Sequence, residues 1–168
     1  DHADIFEHLG AVQASFRQFV NLIPRNGLLL ANGDDPNITA VIERAFAPVA
    51  RFGFGPNSDI RAVDLDVAGD CSKFTVDKTR FQVALPGELN VRNALAVVAC
   101  ARHCGLDDAQ IQTAFDTFQG IRRRMEIRGT VREITVIDDF GHHPTAVRET
   151  LRALRTRFPG RRLWAIFE

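Results

Sequence analysis

No run of about 18 apolar residues occurs in this chain, so nothing in it reads as a membrane-spanning helix. The opening DHADIF has neither a basic stretch leading into an apolar core nor an initiator methionine, so the pattern of a secretory leader is missing as well. Cysteine is scarce: Cys71, Cys100 and Cys104 are odd in number and form no C-x-x-C pair, which fits reduced thiols and a cytoplasmic location better than a disulfide framework. Net charge is also lacking, because 21 basic residues cancel 21 acidic ones. No global field then recruits nucleic acid or an anionic membrane, and any anion site has to be local. Internal repeats and low-complexity segments are absent. What remains is 168 residues with 45% hydrophobic content, enough for one domain or for one and part of another. The missing methionine and the apolar LWAIFE at the other end suggest a piece of a longer protein.

Hydrophobic spacing organises the chain into an α/β pattern. Ile5, Leu9, Val12, Phe16, Phe19 and Ile23 recur at helical intervals and predict a helix from Ala3 to Ile23. NGLLLANGDDPN reads as a buried strand ending in a turn, with ITAVIERAFA as the following helix, a βα unit. VARFGF and DIRAVDLDV look like further strands, and SKFTV with RFQVAL like a hairpin, so a mixed sheet is expected. PGELNVRNALAVVACARHCGL returns to helical period and stops at Gly105, and Asp107 with Gln110 predicts a capping box for the helix after it. QGIRRRM then breaks the pattern. A new series follows: strands MEIRGTV and ITVIDD, helix PTAVRETLRALRTRF and strand RRLWAIF. The division is placed near Gly120, giving units 1–119 and 120–168, the second with the strand, helix, strand order of a parallel α/β fold.

Four stretches concentrate groups able to do chemistry. In VIDDFGHHPT, Asp138, Asp139, His142 and His143 fall in a strand-to-helix loop, where open parallel sheets bind ligands and a helix start adds partial positive charge. Three readings stay open: a metal cage, a nucleotide or phosphate corner, and simple capping with solvated histidines. The cage is disfavoured because adjacent side chains diverge and no third histidine or C-x-x-C supports it. In PGELNVRNALA, Asn90 and Asn93 share the first turn of a helix and could match the edge of adenine, although Asn90 is equally an ordinary N-cap. In GIRRRMEIRG, one of Arg122, Arg123 and Arg124 could clamp phosphate at the boundary, against the plainer reading of a solvated basic linker. DHADIF places His2 between two acids ahead of a helix. Cys100 and Cys104 share a helical face, which reads as structural.

In this order the four stretches resemble the Mur ligase family, which builds the peptide of bacterial cell-wall precursors. DHADIF is similar to its acidic-histidine element, PGELNVRNALA to its Gly-x-His-Asn-x-x-Asn-x-Leu-Ala element, FQGIRRRMEIRG to its Phe-x-Gly-x-x-x-Arg element, and DDFGHHPT to its Asp-Asp-Tyr/Phe-x-His-His-Pro-Thr signature. The last form is typical of the branch acting on UDP-N-acetylmuramate. Within that branch, HADIF, GLLLANGDDPN and DDFGHHPTAVRETLRALR look more like the murein peptide ligases, which join the tripeptide L-alanyl-γ-D-glutamyl-meso-diaminopimelate, than like the ligases adding L-alanine.

The resemblance implies the end of a mixed-sheet ATP-binding central domain followed by the start of a Rossmann-like C-terminal domain. ATP and magnesium (Mg2+) would be the cofactors, with UDP-N-acetylmuramate and the murein tripeptide as substrates. His2 would bind magnesium, Asn90 and Asn93 would read adenine, Arg124 would reach the phosphates and Asp139 the ribose. His142 would lie on the phosphate or acyl-phosphate side. Leu89 stands where the family has histidine, no lysine precedes Lys73, and neither a Gly-Lys-Thr phosphate loop nor an EPRSNT-like segment occurs, so these 168 residues alone are expected to be inactive. A metal-dependent hydrolase using the Asp/His cluster and a non-catalytic interaction module are the alternatives of other classes.

Overall fold

A computed structural model of the chain describes residues 5–166. Five strands form one mixed sheet in the order β1 to β5, comprising β1 (Leu29–Asn32), β2 (Val49–Gly53), β3 (Ile60–Asp66), β4 (Ser72–Val76) and β5 (Thr79–Val83). β1, β2 and β3 pair in parallel, and β3, β4 and β5 pair antiparallel. The predicted βα unit is present: α2 (Pro36–Ile42) links the parallel strands β1 and β2. It is shorter than the apolar pattern suggested, with Asp35 accepting from Asn37 N at its start and Pro36 in its first turn. The hairpin expected from SKFTV and RFQVAL is β4–β5, in which every second side chain points into the core.

That core explains the long central helix. α3 (Glu88–His103) buries Val91, Ala94, Leu95 and Val98, spaced as one helical face requires. They meet Phe74, Val76, Phe81 and Val83 from β4 and β5, and Ile111 and Phe115 from α4 (Asp108–Thr117). Phe81 stacks on Phe74 at 5.7 Å and meets Phe115 edge-on at 6.1 Å. The capping box between Asp107 and Gln110 forms as the sequence predicts. Arg102 at the end of α3 is bonded to Asp108 through two nitrogens and to Asp77 through a third contact, tying α3, α4 and the β4–β5 turn together.

The expectation for the first helix needs correction. The first helix, α1, runs only from Leu9 to Val20, starting where the His8 ring accepts from Ala11 N. The one residue of this helix that is buried, Val20, is not on the predicted stripe, whose Leu9, Phe16 and Phe19 stay exposed. Its periodicity marks a face without a partner among the described residues.

Beyond α4, β6 (Glu126–Val131) and β7 (Ile134–Asp138) form a separate antiparallel pair, and α5 (Pro144–Arg157) follows. RRLWAIF, read as a strand, forms none over residues 161–166. Trp164 and Ile166 project into solvent at 75% and 95% exposure. A strand with no neighbour to take its ladder hydrogen bonds has little to hold it extended.

Candidate functional site

The two halves of the chain meet where α5 leans on the start of α3. Gly87, immediately before α3, has φ +94°, a conformation costly for any residue with a side chain, and a Cβ there would sit 2.9 Å from Ala153 Cβ. Arg157 of α5 bonds to Asp70 of the β3–β4 loop at 2.6 Å. These contacts bring the α5 face carrying Ala146, Thr150 and Ala153 against the first turns of α3.

Beside this contact lies a cavity of about 640 Å³. One wall is α3, with Leu89, Asn90, Asn93 and Val97; the facing wall carries Arg124, Met125, Asp139 and Thr150. Phe118 and Ile121 complete an apolar surface. Four residues picked from sequence, Asn90, Asn93, Arg124 and Asp139, therefore line one cavity although 49 positions of sequence (139 − 90) separate the outer two.

Asn90 is not the N-cap; Gly87 is, without any side-chain cap bond. Inside the first turn, the Asn90 side-chain amide donates from Nδ2 to the carbonyl of Pro86 at 2.8 Å. That bond fixes the amide and leaves Oδ1 as its free acceptor. Asn93, one turn on, is exposed.

Asp139 is held from three directions. Its Oδ2 accepts from Met125 N at 2.9 Å, and its Oδ1 accepts from Gly141 N at 2.8 Å and from the Thr150 hydroxyl at 3.3 Å. A carboxylate offers about four acceptor positions, so one remains, on Oδ2. The bond to Met125 pins a turn in which Arg123 and Met125 have φ of +59° and +49°. Such values are uncommon for residues other than glycine and concentrate at functional segments. Glu126 accepts from Arg123 N at 2.8 Å; that bond, ahead of opposing burial and the charge of Arg128, holds the Glu126 carboxyl below its ordinary range. The Arg123 and Arg124 guanidiniums both lie over the Phe140 ring, at 5.0 and 5.6 Å.

The histidines divide. His143 is the N-cap of α5, its Nδ1 accepting from Thr145 N at 3.3 Å, with Pro144 in the first turn as the sequence predicts. His142 sits edge-on to Phe140 at 5.3 Å, with Nδ1 3.0 Å from the Phe140 carbonyl. It lines a different groove along α5, beside Arg148, Arg152 and Arg155. His2 lies outside the described residues. Among the described residues no three His, Cys, Asp or Glu side chains come together around one point, so they form no cage for magnesium or zinc.

Sequence reasoning passed over Thr150 and Met125. Thr150 belongs to a stripe of small residues at helical spacing, Ala146, Thr150 and Ala153, which signals a face packed closely on another element. Nothing in the sequence marks the Met125 backbone amide.

The chain matches the Mur ligase middle domain over residues 1–101 and the Mur ligase glutamate ligase domain over residues 123–168. It is 36% identical to the UDP-N-acetylmuramate–L-alanine ligase of Salinibacter ruber, covering 100% of this chain and 36% of that protein. The chain thus spans about a third of the curated relatives it matches. Among solved structures, a murein peptide ligase from Psychrobacter arcticus aligns with TM-score 0.68 and 31% identity, over 95% of this chain and 35% of that one. The UDP-N-acetylmuramate–alanine ligase of Thermotoga maritima aligns with TM-score 0.74 and 26% identity, over 94% and 36%.

Proposed function

The chain belongs to the Mur ligase family, and we propose that it is the part of an ATP-dependent peptidoglycan ligase that joins the adenosine side of the nucleotide site to the start of the C-terminal domain. Residues 1–119 are assigned to the central domain and 120–168 to the C-terminal one. The observation carrying this reading is the shared cavity, where Asn90 and Asn93 face Arg124 and Asp139 across two otherwise distant segments.

The chemistry of the lining suits a nucleoside. Asn90, with Nδ2 committed to Pro86, offers Oδ1 to an exocyclic amine, and Asn93 can both donate and accept. Leu89, Val97, Phe118 and Ile121 supply apolar surface for the faces of a base. The remaining acceptor position of Asp139 suits one ribose hydroxyl, and Arg124 reaches toward the phosphates. His142, on the neighbouring groove, is assigned to the phosphate and acyl-phosphate side.

The reaction proposed for the complete protein begins with attack of the muramyl carboxylate on the γ-phosphate of ATP, which breaks the bond to the β–γ bridging oxygen and releases ADP. The resulting acyl phosphate is opened by the amine of the incoming peptide, releasing phosphate and forming the amide. Magnesium, when bound, offsets the phosphate charge; His2 is assigned to it. The part of the described residues is to hold the nucleoside and to keep water from the acyl phosphate where α3 and α5 close together.

For the amino substrate we propose the tripeptide L-alanyl-γ-D-glutamyl-meso-diaminopimelate, which suits recycling of cell-wall peptide. Support comes from the sequence resemblance and from the murein peptide ligase structure at 31% identity. The second reading, L-alanine, is favoured by the curated L-alanine ligases at 36% and 38% identity. The test offers the complete ligase UDP-N-acetylmuramate and ATP with either amine, and reads phosphate release and amide product. Higher kcat/KM with tripeptide is expected. A preference for L-alanine selects the second reading, and no ATP-dependent ligation with either amine refutes the proposal.

A further inference from the structure

On α3, Arg92 stands between the two cavity asparagines in sequence yet points elsewhere. Successive helical residues are rotated by about 100°, so Arg92 leaves the face that Asn90 and Asn93 share. Its guanidinium lies 4.7 Å over the Phe54 ring, and its Nε is enclosed 3.5 Å from Asp34 Oδ2. This is a long ion pair reinforced by a cation–π contact, with the two side chains only 29% and 21% exposed.

Asp34 is itself fixed. It follows β1, and its carboxylate accepts from Phe54 N at 3.0 Å and Gly55 N at 2.9 Å in the loop after β2, while its own N–H donates to Asn32 Oδ1. Glycine at position 53 permits this approach, since a Cβ there would lie 2.7 Å from the Asp34 carboxyl. Burial pushes the Asp34 carboxyl up, but the two backbone N–H groups and Arg92 outweigh it and keep the group below its ordinary range. Asp34, Phe54 and Arg92 thus connect the carboxyl ends of two parallel strands to the first turns of α3.

We propose that Arg92 is a positioning residue for the nucleotide site: clamped by Asp34 and Phe54, it sets the rotation and depth of the α3 turn that presents Asn90 and Asn93. The inference rests on the nucleotide reading of the cavity. Gly87 makes no side-chain cap bond, so the only local side-chain bond holding the first turn of α3 is that of Asn90 to the Pro86 carbonyl, and the clamp adds a tertiary anchor one turn on. A small shift of this turn displaces both asparagines together, and misplacement of that kind weakens a site by one to two orders of magnitude.

The test uses the complete ligase with Arg92→Met, Arg92→Lys, Phe54→Leu, Asp34→Asn and Asn93→Ala, measuring the KM for ATP, kcat and thermal unfolding of each. Arg92→Met is expected to raise the KM for ATP roughly tenfold with kcat within about twofold, and Arg92→Lys to recover part of it. Asp34→Asn combined with Arg92→Met should cost no more than the worse single change, because both break one clamp. Should Arg92→Met fail to fold, Phe54→Leu removes the ring under the cation while keeping apolar bulk. If the folded Arg92 and Phe54 variants lose thermal stability but keep the parent KM, while Asn93→Ala raises it, the clamp is overturned and the nucleotide reading stands. If Asn93→Ala itself leaves the KM unchanged, the nucleotide reading fails first.

Discussion

Gly87→Ala tests the contact that creates the cavity. Two separate costs follow from the structure. The first is conformational: alanine at φ +94° leaves the allowed basins, at about 1–3 kcal/mol. The second is steric: the new Cβ would stand 2.9 Å from Ala153 Cβ, closer than carbon atoms tolerate, and relief requires α5 to move or the α3 start to shift, typically about 1–3 kcal/mol. The sum is about 2–6 kcal/mol, a large fraction of a domain's stability.

A double-mutant cycle separates the two. Ala153→Gly alone costs about 1 kcal/mol as a helix-interior glycine, but it removes the atom against which the Gly87→Ala methyl collides. Equilibrium denaturation of parent, both singles and the double should therefore give a coupling of about 1–3 kcal/mol, with the double less destabilised than the sum of the singles. The conformational part stays in both backgrounds. Strict additivity would refute the contact, and with it the account of how Asn90 and Asp139 come to face one cavity.

The remaining predictions concern the site and the acid limb. Asp139→Ala removes an acceptor of two backbone N–H groups and a hydroxyl, so stability is expected to fall by about 2–4 kcal/mol alongside weaker ATP use; an unchanged denaturation midpoint would contradict those bonds. The Asp108 carboxyl is held below its ordinary range first by its hydrogen bond to Arg102, against opposing burial, with Thr79 adding to the shift. A depressed carboxylate contributes stability above its unfolded pKa of about 3.9 and loses it as pH falls through the folded value. Asp108→Asn should then flatten the loss of stability below about pH 4 and lower stability at pH 7; parallel acid limbs for parent and variant would contradict this. Leu89→His places an imidazole, ordinarily titrating near 6.5, in the cavity wall. It should give the KM for ATP a pH dependence between about pH 6 and 8 that the parent lacks at this position; identical profiles would mean that residue 89 does not face the nucleotide.

Elements whose pattern came from burial were legible in the sequence. The alternation in SKFTV and RFQVAL and the helical spacing of Val91, Leu95 and Val98 both arise because these residues fill one core. The Asp107 capping box was readable because it is local chemistry. Local reading failed where a partner surface is needed. The Leu9, Phe16 and Phe19 stripe carries a strong pattern but stays exposed, and the RRLWAIF segment meets α5 and the β6–β7 turn through Arg161 and Leu163 without finding a strand to pair with among the described residues. The cavity was legible only as separate motifs, since the closeness of Asn90 and Asp139 depends on Gly87 and Ala153, a contact that no periodicity announces.

Asp139 shows why position in a site and role in it are different quantities. Read as a motif, it is a free carboxylate awaiting a ligand. In the fold it is mostly occupied, bonding the Met125 amide, the Gly141 amide and Thr150. A ribose hydroxyl can take the last position on Oδ2 without disturbing these bonds, whereas a bidentate grip on two hydroxyls would also need a position on Oδ1, where the Thr150 hydroxyl at 3.3 Å is the longer of the two bonds. The Met125 bond meanwhile holds a turn at φ +49°, next to the arginines at the boundary between the two halves. On the nucleotide reading, a single ribose hydroxyl leaves that turn in place, because Asp139 meets the ligand and the Met125 amide through different acceptor positions.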